Sequence, residues 1–297
     1  MNVLILGGGY VGNHLFNRLK RDHDVEQIVQ RQVDYTFSNQ DGFWEPGYKP
    51  LDFKSYLHNK RFDIAVNCCG YTGKPNVDAC EKDKEKCWYY NVTAPAKTNN
   101  ILNLFNIPVV HISSGCIYEG DRMWTEEDVP NFGLYDDHSS FYSKSKHAGE
   151  LALKDMLGYI FRIRMPFCGN STGKNILQKY LKYDNIVSYP NSLTSIYDLC
   201  NAVEHFCVHR CQIDYGVYNI VNRGTITGQE VIDMMREKDI DNPNWKVVPI
   251  EDLHLAAGRS NCTLSGDKLY KEYKMPHVTD SLRQCITRLK GKINGDA

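Results

Sequence analysis

A glycine-rich turn stands directly behind the first apolar run of the chain and limits what the chain can fold into. The run NVLIL is followed at once by glycines spaced as GxGxxG, and an amphipathic stretch begins there. In a strand–turn–helix unit the first glycine permits the tight turn, the second lets the backbone approach a pyrophosphate, and the third lets helix pack on strand. The spacing therefore predicts a dinucleotide site at a helix N-terminus. The residues predicted to hold the cofactor there are Gly7, Gly9, Tyr10, Val11 and Gly12.

The first 165 residues alternate short apolar runs with longer amphipathic ones. Strands are predicted at 2–6, 25–29, 63–67, 107–113 and 159–164, and helices at 11–21, 78–105 and 139–157. Strand–helix alternation with β-rich runs buried on both faces is typical of parallel sheets covered by helices. We therefore expect an α/β fold, a Rossmann-like doubly wound parallel sheet.

The pattern loosens after Pro166, which predicts a smaller C-terminal substrate lobe beside the sheet. An NADP-binding Rossmann domain is expected to comprise 1–165 and 197–224. The substrate-binding lobe is expected to comprise 166–196 and 225–297, so that two separate stretches close over the carboxyl edge of the sheet.

Charge and composition exclude several classes of partner. Thirty-five Lys and Arg residues against 36 Asp and Glu leave a net charge of -1, so no polybasic surface for nucleic acid or acidic lipid is expected. No apolar run approaches the roughly 18 residues of a membrane span, and the first residues lack the basic region of a signal peptide. The eleven cysteines are odd in number and form no CxxC, which favours free thiols, no metal site and a reducing, cytoplasmic compartment.

The second predicted strand should carry the residue that selects the ribose of the cofactor. NAD enzymes usually place Asp or Glu there, whereas this strand ends in Arg31. A guanidinium can pair with the 2′-phosphate of NADP, so Arg31 favours NADPH, with NADH as the alternative. A solvated surface Arg31 is the other interpretation of the same residue.

Tyr142 and Lys146 form a YxxxK pair in a predicted helix, which places them one turn apart on one face. Tyr titrates near ~10 in isolation, and a nearby ammonium favours its phenolate, so we expect Tyr142 to exchange a proton near neutral pH. Upstream, strand alternation puts Ser114 and Cys116 on one face at the end of a buried run. A thiol, which titrates near ~8.5 in isolation, is a usable proton carrier, and a buried structural cysteine fits the same pattern.

These motifs resemble the extended short-chain dehydrogenase/reductase family, and in particular its nucleotide-rhamnose synthase/epimerase-reductases. Residues 67–81 read NCCGYTGKPNVDACE and look like the NAAGxTGRPNVDxCE run of that group. GCIY at 115–118, PNSLT at 190–194 and RSN at 259–261 match three further segments of it. The resemblance implies a bifunctional 3,5-epimerase/4-reductase that converts UDP-4-keto-6-deoxy-D-glucose to UDP-L-rhamnose with NADPH.

The same resemblance implies roles for single residues. Ser114, Tyr142 and Lys146 would serve the ketone oxygen, and Cys116 and Lys179 would act on opposite faces of the sugar, with Lys182 as the rival of Lys179. Additional cofactor contacts are expected from Gly70 and Asn91, besides Tyr142 and Lys146. Contacts with the substrate are expected from Thr72, Asn76, Asn170, Asn191 and Arg259.

Other interpretations stay open at this point. GDP-L-fucose synthase usually has a His where this chain has none between 173 and 183, and dTDP-4-dehydrorhamnose reductase would not need Cys116. A non-catalytic Rossmann regulatory subunit would have no reason to keep four proton-handling groups. The resemblance further implies a homodimer formed by the helices predicted at 78–105 and 139–157, and a 4,6-dehydratase as functional partner.

Overall fold

A six-stranded parallel sheet, in the order β10-β8-β6-β5-β1-β2, forms the centre of the molecule. The computed structural model describes residues 1–29, 33–34, 51–170, 175–253 and 255–294. The strands are, in chain order, Asn2–Leu6 (β1), Asp24–Ile28 (β2), Val33–Asp34 (β3), Leu51–Asp52 (β4), Ile64–Asn67 (β5), Val109–Ser114 (β6), Gly120–Trp124 (β7), Gly158–Ile163 (β8), Asn185–Val187 (β9), Gly216–Ile220 (β10), Lys246–Val248 (β11) and Cys262–Leu264 (β12). Every pair in the central sheet is parallel, and the predicted α/β doubly wound fold is confirmed.

Helices cover the sheet and build the region beyond it. They are Tyr10–Leu19 (α1), Phe53–His58 (α2), Ala79–Lys82 (α3), Lys84–Trp88 (α4), Ala94–Leu104 (α5), Phe141–Ala152 (α6), Ile176–Lys182 (α7), Ile196–Val208 (α8), Gly228–Arg236 (α9), Asp267–Glu272 (α10) and Val278–Asn294 (α11). A hydroxyl caps two of the helices beside the site: Ser140 accepts from the Ser143 N–H on α6, and Ser195 accepts from the Asp198 N–H on α8.

The segment predicted as one helix over 78–105 is divided in the structure. Asp83, with φ −107° and ψ 51°, separates α3 from α4, and a π-helical turn at Tyr89–Thr93 separates α4 from α5. Pro95 supplies the physical reason for the π turn, because its ring crowds the carbonyl four residues earlier and it has no N–H to donate to it. That carbonyl belongs to Asn91, and α6 crosses it so closely that a Cβ on Gly149 would lie 2.3 Å from the Asn91 oxygen.

Two large hydrophobic cores lie in the described part of the chain. The first covers one face of the central sheet beneath α1 and α8. The second is drawn from residues between 167 and 193 and between 226 and 289, and includes Phe167, Trp245 and Leu282. The first core also contains Leu269 and Met275 from the C-terminal stretch, and the expected division into two lobes stays a prediction.

The segment after Cys116 is tied to the C-terminal region by a strand pair that sequence patterning did not predict. β7 pairs in parallel with β12, which directly follows the RSN segment. All eleven cysteines are free thiols. In the part of the chain that the structure describes, no helix combines the length and apolar character needed to cross a membrane.

Candidate active site

The glycine-rich turn joins β1 to α1 at the carboxyl edge of the sheet. Gly7 has a φ of +112°, and a Cβ on Gly12 would lie 2.1 Å from the Gly7 carbonyl oxygen, so both positions need glycine. Among the described residues, no atom lies within 4 Å of a Cβ built on Gly9, the N-cap of α1. Internal packing therefore does not require a glycine there, whereas close approach by a pyrophosphate does. The turn fits a dinucleotide at the N-terminus of α1.

Tyr10 and Val11 offer the cofactor their backbone only. Both side chains pack against the first core, and the Tyr10 ring meets His14 edge-on at 5.3 Å between centroids. Their N–H groups belong to the first turn of α1, where backbone donors have no partner within the helix. Arg31 lies outside the described residues, so its part in selecting NADP stays a prediction.

Tyr142 and Lys146 lie on α6 against the end of β6; Lys146 is buried and Tyr142 is half-buried at the cavity. The Lys146 ammonium donates to the Ile112 carbonyl at 3.4 Å, and burial lowers the pKa of Lys146. Burial also raises the pKa of Tyr142, a nearby Cys116 adds to the rise, and a hydrogen bond with Ser114 opposes it. The direction of this change is opposite to the one that a nearby ammonium would give, and the exchange of a proton by Tyr142 near neutral pH stays a prediction. A phenol kept protonated is suited to donate a proton.

Asn91 is buried and acts between two elements of the protein. Its Oδ1 accepts from the Tyr71 N–H at 2.8 Å, and its Nδ2 donates to the Tyr71 carbonyl and the Ser145 hydroxyl, both at 2.9 Å. These bonds tie the loop after β5, where Gly70 lies, to the helix that carries Tyr142 and Lys146. The side chain thus connects two protein elements, and its expected contact with the cofactor stays a prediction.

A cavity of about 690 Å³ opens beside the carboxyl edge of the sheet and collects most of the predicted side chains. The predicted residues that line it are Asn76, Cys116, Tyr142, Lys179, Asn191 and Arg259, and Lys182, the rival of Lys179, lines it as well. Thr72 lies half-buried on the loop after β5, outside this lining. Asn170 does not line this cavity, and its Oδ1 accepts from Lys292 on α11 at 2.6 Å, so its expected contact with the substrate stays a prediction.

Cys116 and Lys179 approach the cavity from different elements. The Cys116 N–H donates to Ser114 Oγ at 3.2 Å, which fixes the turn after β6. Lys179 is half-buried on α7; burial lowers its pKa, the Cys116 sulfur opposes that change, and the Arg259 guanidinium adds to it. Lys182, one turn further on, is exposed. The arrangement favours Lys179 over Lys182 as the partner of Cys116.

Sequence reasoning missed two residues that hold this arrangement together. Arg164, at the end of β8, donates from Nη1 to the Cys116 Sγ at 2.9 Å. Asp78 holds Arg259 in an ion pair at 2.8 Å and accepts from the Ala257 N–H at 3.1 Å. A charged residue at the carboxyl end of an apolar strand was the available signal for Arg164.

Comparison with known proteins places the chain among rhamnose enzymes. The family model for the RmlD substrate binding domain matches residues 1–290. A bifunctional dTDP-4-dehydrorhamnose 3,5-epimerase/dTDP-4-dehydrorhamnose reductase of Arabidopsis thaliana is 31% identical over 229 residues, which cover 73% of this chain and 73% of that protein. A trifunctional Arabidopsis UDP-glucose 4,6-dehydratase/3,5-epimerase/reductase is 28% identical over 233 residues, 74% of this chain and 34% of that protein. The match thus spans about a third of the trifunctional protein.

Solved structures show the same fold at lower identity. A UDP-rhamnose synthase of Acanthamoeba polyphaga mimivirus superposes with a TM-score of 0.84 at 23% identity, covering 97% of this chain and 99% of that one. A dTDP-4-dehydrorhamnose reductase of Bacillus anthracis in complex with NADP gives a TM-score of 0.77 at 21% identity, with 97% and 98% coverage.

Proposed function

The chain belongs to the RmlD substrate-binding domain family of extended short-chain reductases, as its motifs predicted, and from this premise we propose an NADPH-dependent 3,5-epimerase/4-reductase. Its proposed reaction converts UDP-4-keto-6-deoxy-D-glucose to UDP-L-rhamnose. The coarser activity, reduction of the 4-ketone in rhamnose formation, follows from the names of its relatives. The observation that carries the proposal is that Tyr142, Cys116 and Lys179 line one cavity.

Three residues, Ser114, Tyr142 and Lys146, form what we call the reduction group. NADPH, when bound at the glycine-rich turn, supplies the hydride for carbon 4. Tyr142, whose pKa burial raises, gives its phenolic proton to the carbon 4 oxygen, and Ser114 donates a hydrogen bond to that oxygen. Lys146 holds its charge beside the oxygen that has lost the proton.

Three other residues, Cys116, Lys179 and Arg259, form the epimerisation group. Inverting carbons 3 and 5 requires removal of a proton beside the ketone and return of one to the opposite face. Cys116 on the turn after β6 and Lys179 on α7 supply two proton-handling groups from separate elements of the cavity wall. Burial lowers the pKa of Lys179, so a larger fraction of its amine is neutral and able to accept a proton. Arg259, held by Asp78, supplies positive charge for the diphosphate of the substrate.

Product analysis in D2O tests the proposal. Purified protein is incubated with NADPH and UDP-4-keto-6-deoxy-D-glucose, and the product is examined by NMR. We expect UDP-L-rhamnose with deuterium at carbons 3 and 5 and protium, from NADPH, at carbon 4. A product reduced without deuterium at carbons 3 and 5 would identify a pure reductase, and no turnover would identify a non-catalytic protein. The dTDP and GDP forms of the ketone, assayed in parallel, test the preference for UDP.

The proposed partners are a 4,6-dehydratase and a second copy of this chain. Loss of water from a nucleotide-glucose generates the 4-keto-6-deoxy sugar, so a dehydratase has to precede this enzyme. For the homodimer, Trp88 on α4, Leu104 on α5 and Leu151 on α6 expose apolar side chains, with 38%, 71% and 45% of their surface accessible. Sedimentation at micromolar concentration should give a dimer that Leu151→Glu dissociates, and a monomeric wild-type protein would contradict this.

A further inference from the structure

The Arg164 side chain joins the end of β8 to three other chain segments through hydrogen bonds, an arrangement that we call the polar clamp. Its Nη1 donates to the Cys116 sulfur at 2.9 Å, and its Nη2 donates to the Asn191 Oδ1 at 2.7 Å and the Ser260 carbonyl at 2.5 Å. The side chain is 3% exposed, yet it borders the cavity. Its Nε has no acceptor among the described residues, so the two terminal nitrogens carry the clamp.

Such a clamp fixes the guanidinium in one orientation. Asn191 is itself held, because its Oδ1 also accepts from the Cys262 N–H at 3.2 Å and its Nδ2 donates to the Tyr189 carbonyl at 3.2 Å. An arginine stays charged when buried, and its planar fork loses little freedom once two of its nitrogens are bound. The third contact, to the Cys116 sulfur, is therefore held by partners that do not belong to the turn after β6.

We propose that Arg164 is a positioning residue for proton transfer at carbons 3 and 5, acting through the Cys116 sulfur. The inference rests on the proposed epimerase function and assigns a residue that neither the motifs nor the resemblance single out. Arg164 aims the thiol into the cavity and places a fixed positive charge where the sulfur becomes negative.

The proton and electron balance of the step defines this role. Lys179, as neutral amine, takes the proton from carbon 3 or 5, and the electron pair of that C–H bond moves to the carbon 4 oxygen to form an enolate. Cys116 returns its S–H proton to the same carbon from the other side, and the electron pair left on sulfur faces the Arg164 guanidinium. Exchange with water restores Lys179 and Cys116, and nothing is oxidised or reduced.

Two assays separate proton transfer from reduction. Deuterium uptake at carbons 3 and 5 is followed by NMR in D2O with NADP+ in place of NADPH, so that no reduction occurs. NADPH oxidation is followed with the epimerised ketone, which a separate 3,5-epimerase supplies in excess. The variants are Arg164→Lys, which keeps the charge but not the fork, Arg164→Met, and Arg283→Met as a control at an exposed arginine on α11.

We expect Arg164→Met to slow deuterium uptake about 10- to 100-fold, the effect of losing a hydrogen bond to a charged group. Arg164→Lys should retain part of that uptake, and both variants should oxidise NADPH within about threefold of wild type. The double variant Arg164→Lys with Cys116→Ser should lose no more uptake than Cys116→Ser alone, because the two residues act as one unit. Arg283→Met should match wild type in both assays.

Equal losses of uptake and reduction in Arg164→Lys, or additive losses in the double variant, would overturn the role and leave Arg164 a structural residue. Wild-type uptake in Arg164→Lys and Arg164→Met would overturn it as well. Failure of the proposed function looks different, because the wild-type protein itself would then take up no deuterium above the rate without enzyme. The wild-type measurement thus separates the two failures.

Discussion

Tyr142 of the reduction group lines the same cavity as the epimerisation group, but the two groups are built in different ways. Tyr142, half-buried, and Lys146, buried, lie one turn apart on α6 beside β6, so a single helix and strand fix both. Cys116 and Lys179 come from the turn after β6 and from α7, and long-range contacts of Arg164 and Asp78 shape the wall between them. The first group depends on two adjacent elements, whereas the second depends on several distant segments.

Because the two groups are built separately, we expect each of them to control a different part of the reaction. In the proposed function, the reduction group holds the proton donor and determines whether the ketone is reduced. The epimerisation group, on the cavity wall, would determine which sugar is presented for reduction. Substitutions in the first group should therefore remove the reaction, and substitutions in the second should change its product.

The largest effect is expected from Tyr142→Phe. Without the phenol nothing protonates the oxygen at carbon 4, and loss of a general acid costs about 10²- to 10⁴-fold in rate. NADPH oxidation, followed by absorbance, should fall by that factor. Deuterium uptake at carbons 3 and 5 with NADP+ should persist at least in part, because Cys116 and Lys179 remain. Near-normal NADPH oxidation would show that the role assigned to Tyr142 is wrong.

A smaller effect is expected from Lys179→Ala, with Lys182→Ala as the matched control one turn away. Removal of the Lys179 amine should slow deuterium uptake at carbons 3 and 5 about 10- to 100-fold, because this amine takes the proton from each of the two carbons. Lys182 is exposed at the rim, and its removal should change uptake less than about threefold. If Lys182→Ala lost deuterium uptake and Lys179→Ala kept it, Lys182 would be the proton-handling residue instead of Lys179.

The smallest effect is expected on the pH dependence of the free energy of unfolding, and its source is a buried histidine beside the site. His111 on β6 is fully buried, and burial, followed by the Lys146 charge, lowers its pKa well below the ordinary value. The unfolded chain therefore binds one more proton below about pH 6.5, and the free energy of unfolding should decrease as the pH falls, by up to about 1.4 kcal/mol per pH unit. Urea unfolding between pH 5 and 7 should show this slope in wild type and in the exposed control His138→Gln. The slope should be smaller in His111→Leu, where His14, His147 and His205, whose pKa values burial also lowers, remain. An unchanged slope in His111→Leu would show that His111 is not a source of the pH dependence of stability.

Local patterns predicted the reduction group, since its motifs and the elements that carry them are close in sequence. The GxGxxG turn and the Tyr142–Lys146 pair lie where the sequence predicts, and the predicted strands of the central sheet agree with the structure within one or two residues. The prediction of one continuous helix over 78–105 was wrong, because one proline and one non-helical residue, Asp83, interrupt the segment. Periodicity does not reveal such interruptions.

The contacts around Cys116 could not be predicted in the same way. Arg164 meets Cys116, Asn191 and Ser260 at separations of 48, 27 and 96 residues, and nothing in its local sequence indicates these partners. The local sequence likewise does not indicate that the Asn91 amide donates to Tyr71 and Ser145. Side-chain direction at such positions depends on tertiary packing, which local pattern does not contain.

The central claim, that one cavity holds separate groups for reduction and for epimerisation, is tested most directly by the product of Cys116→Ser in D2O. A serine hydroxyl is a far poorer proton carrier than a thiol, so epimerisation should fall by about 100-fold or more. The surviving reduction should then act on the unepimerised ketone and give a UDP-6-deoxy-hexose of the D series, identified by NMR. The control Cys211→Ser, at an exposed thiol, should give UDP-L-rhamnose as wild type does. UDP-L-rhamnose formed at the wild-type rate by Cys116→Ser would contradict the account and make Cys116 a structural cysteine.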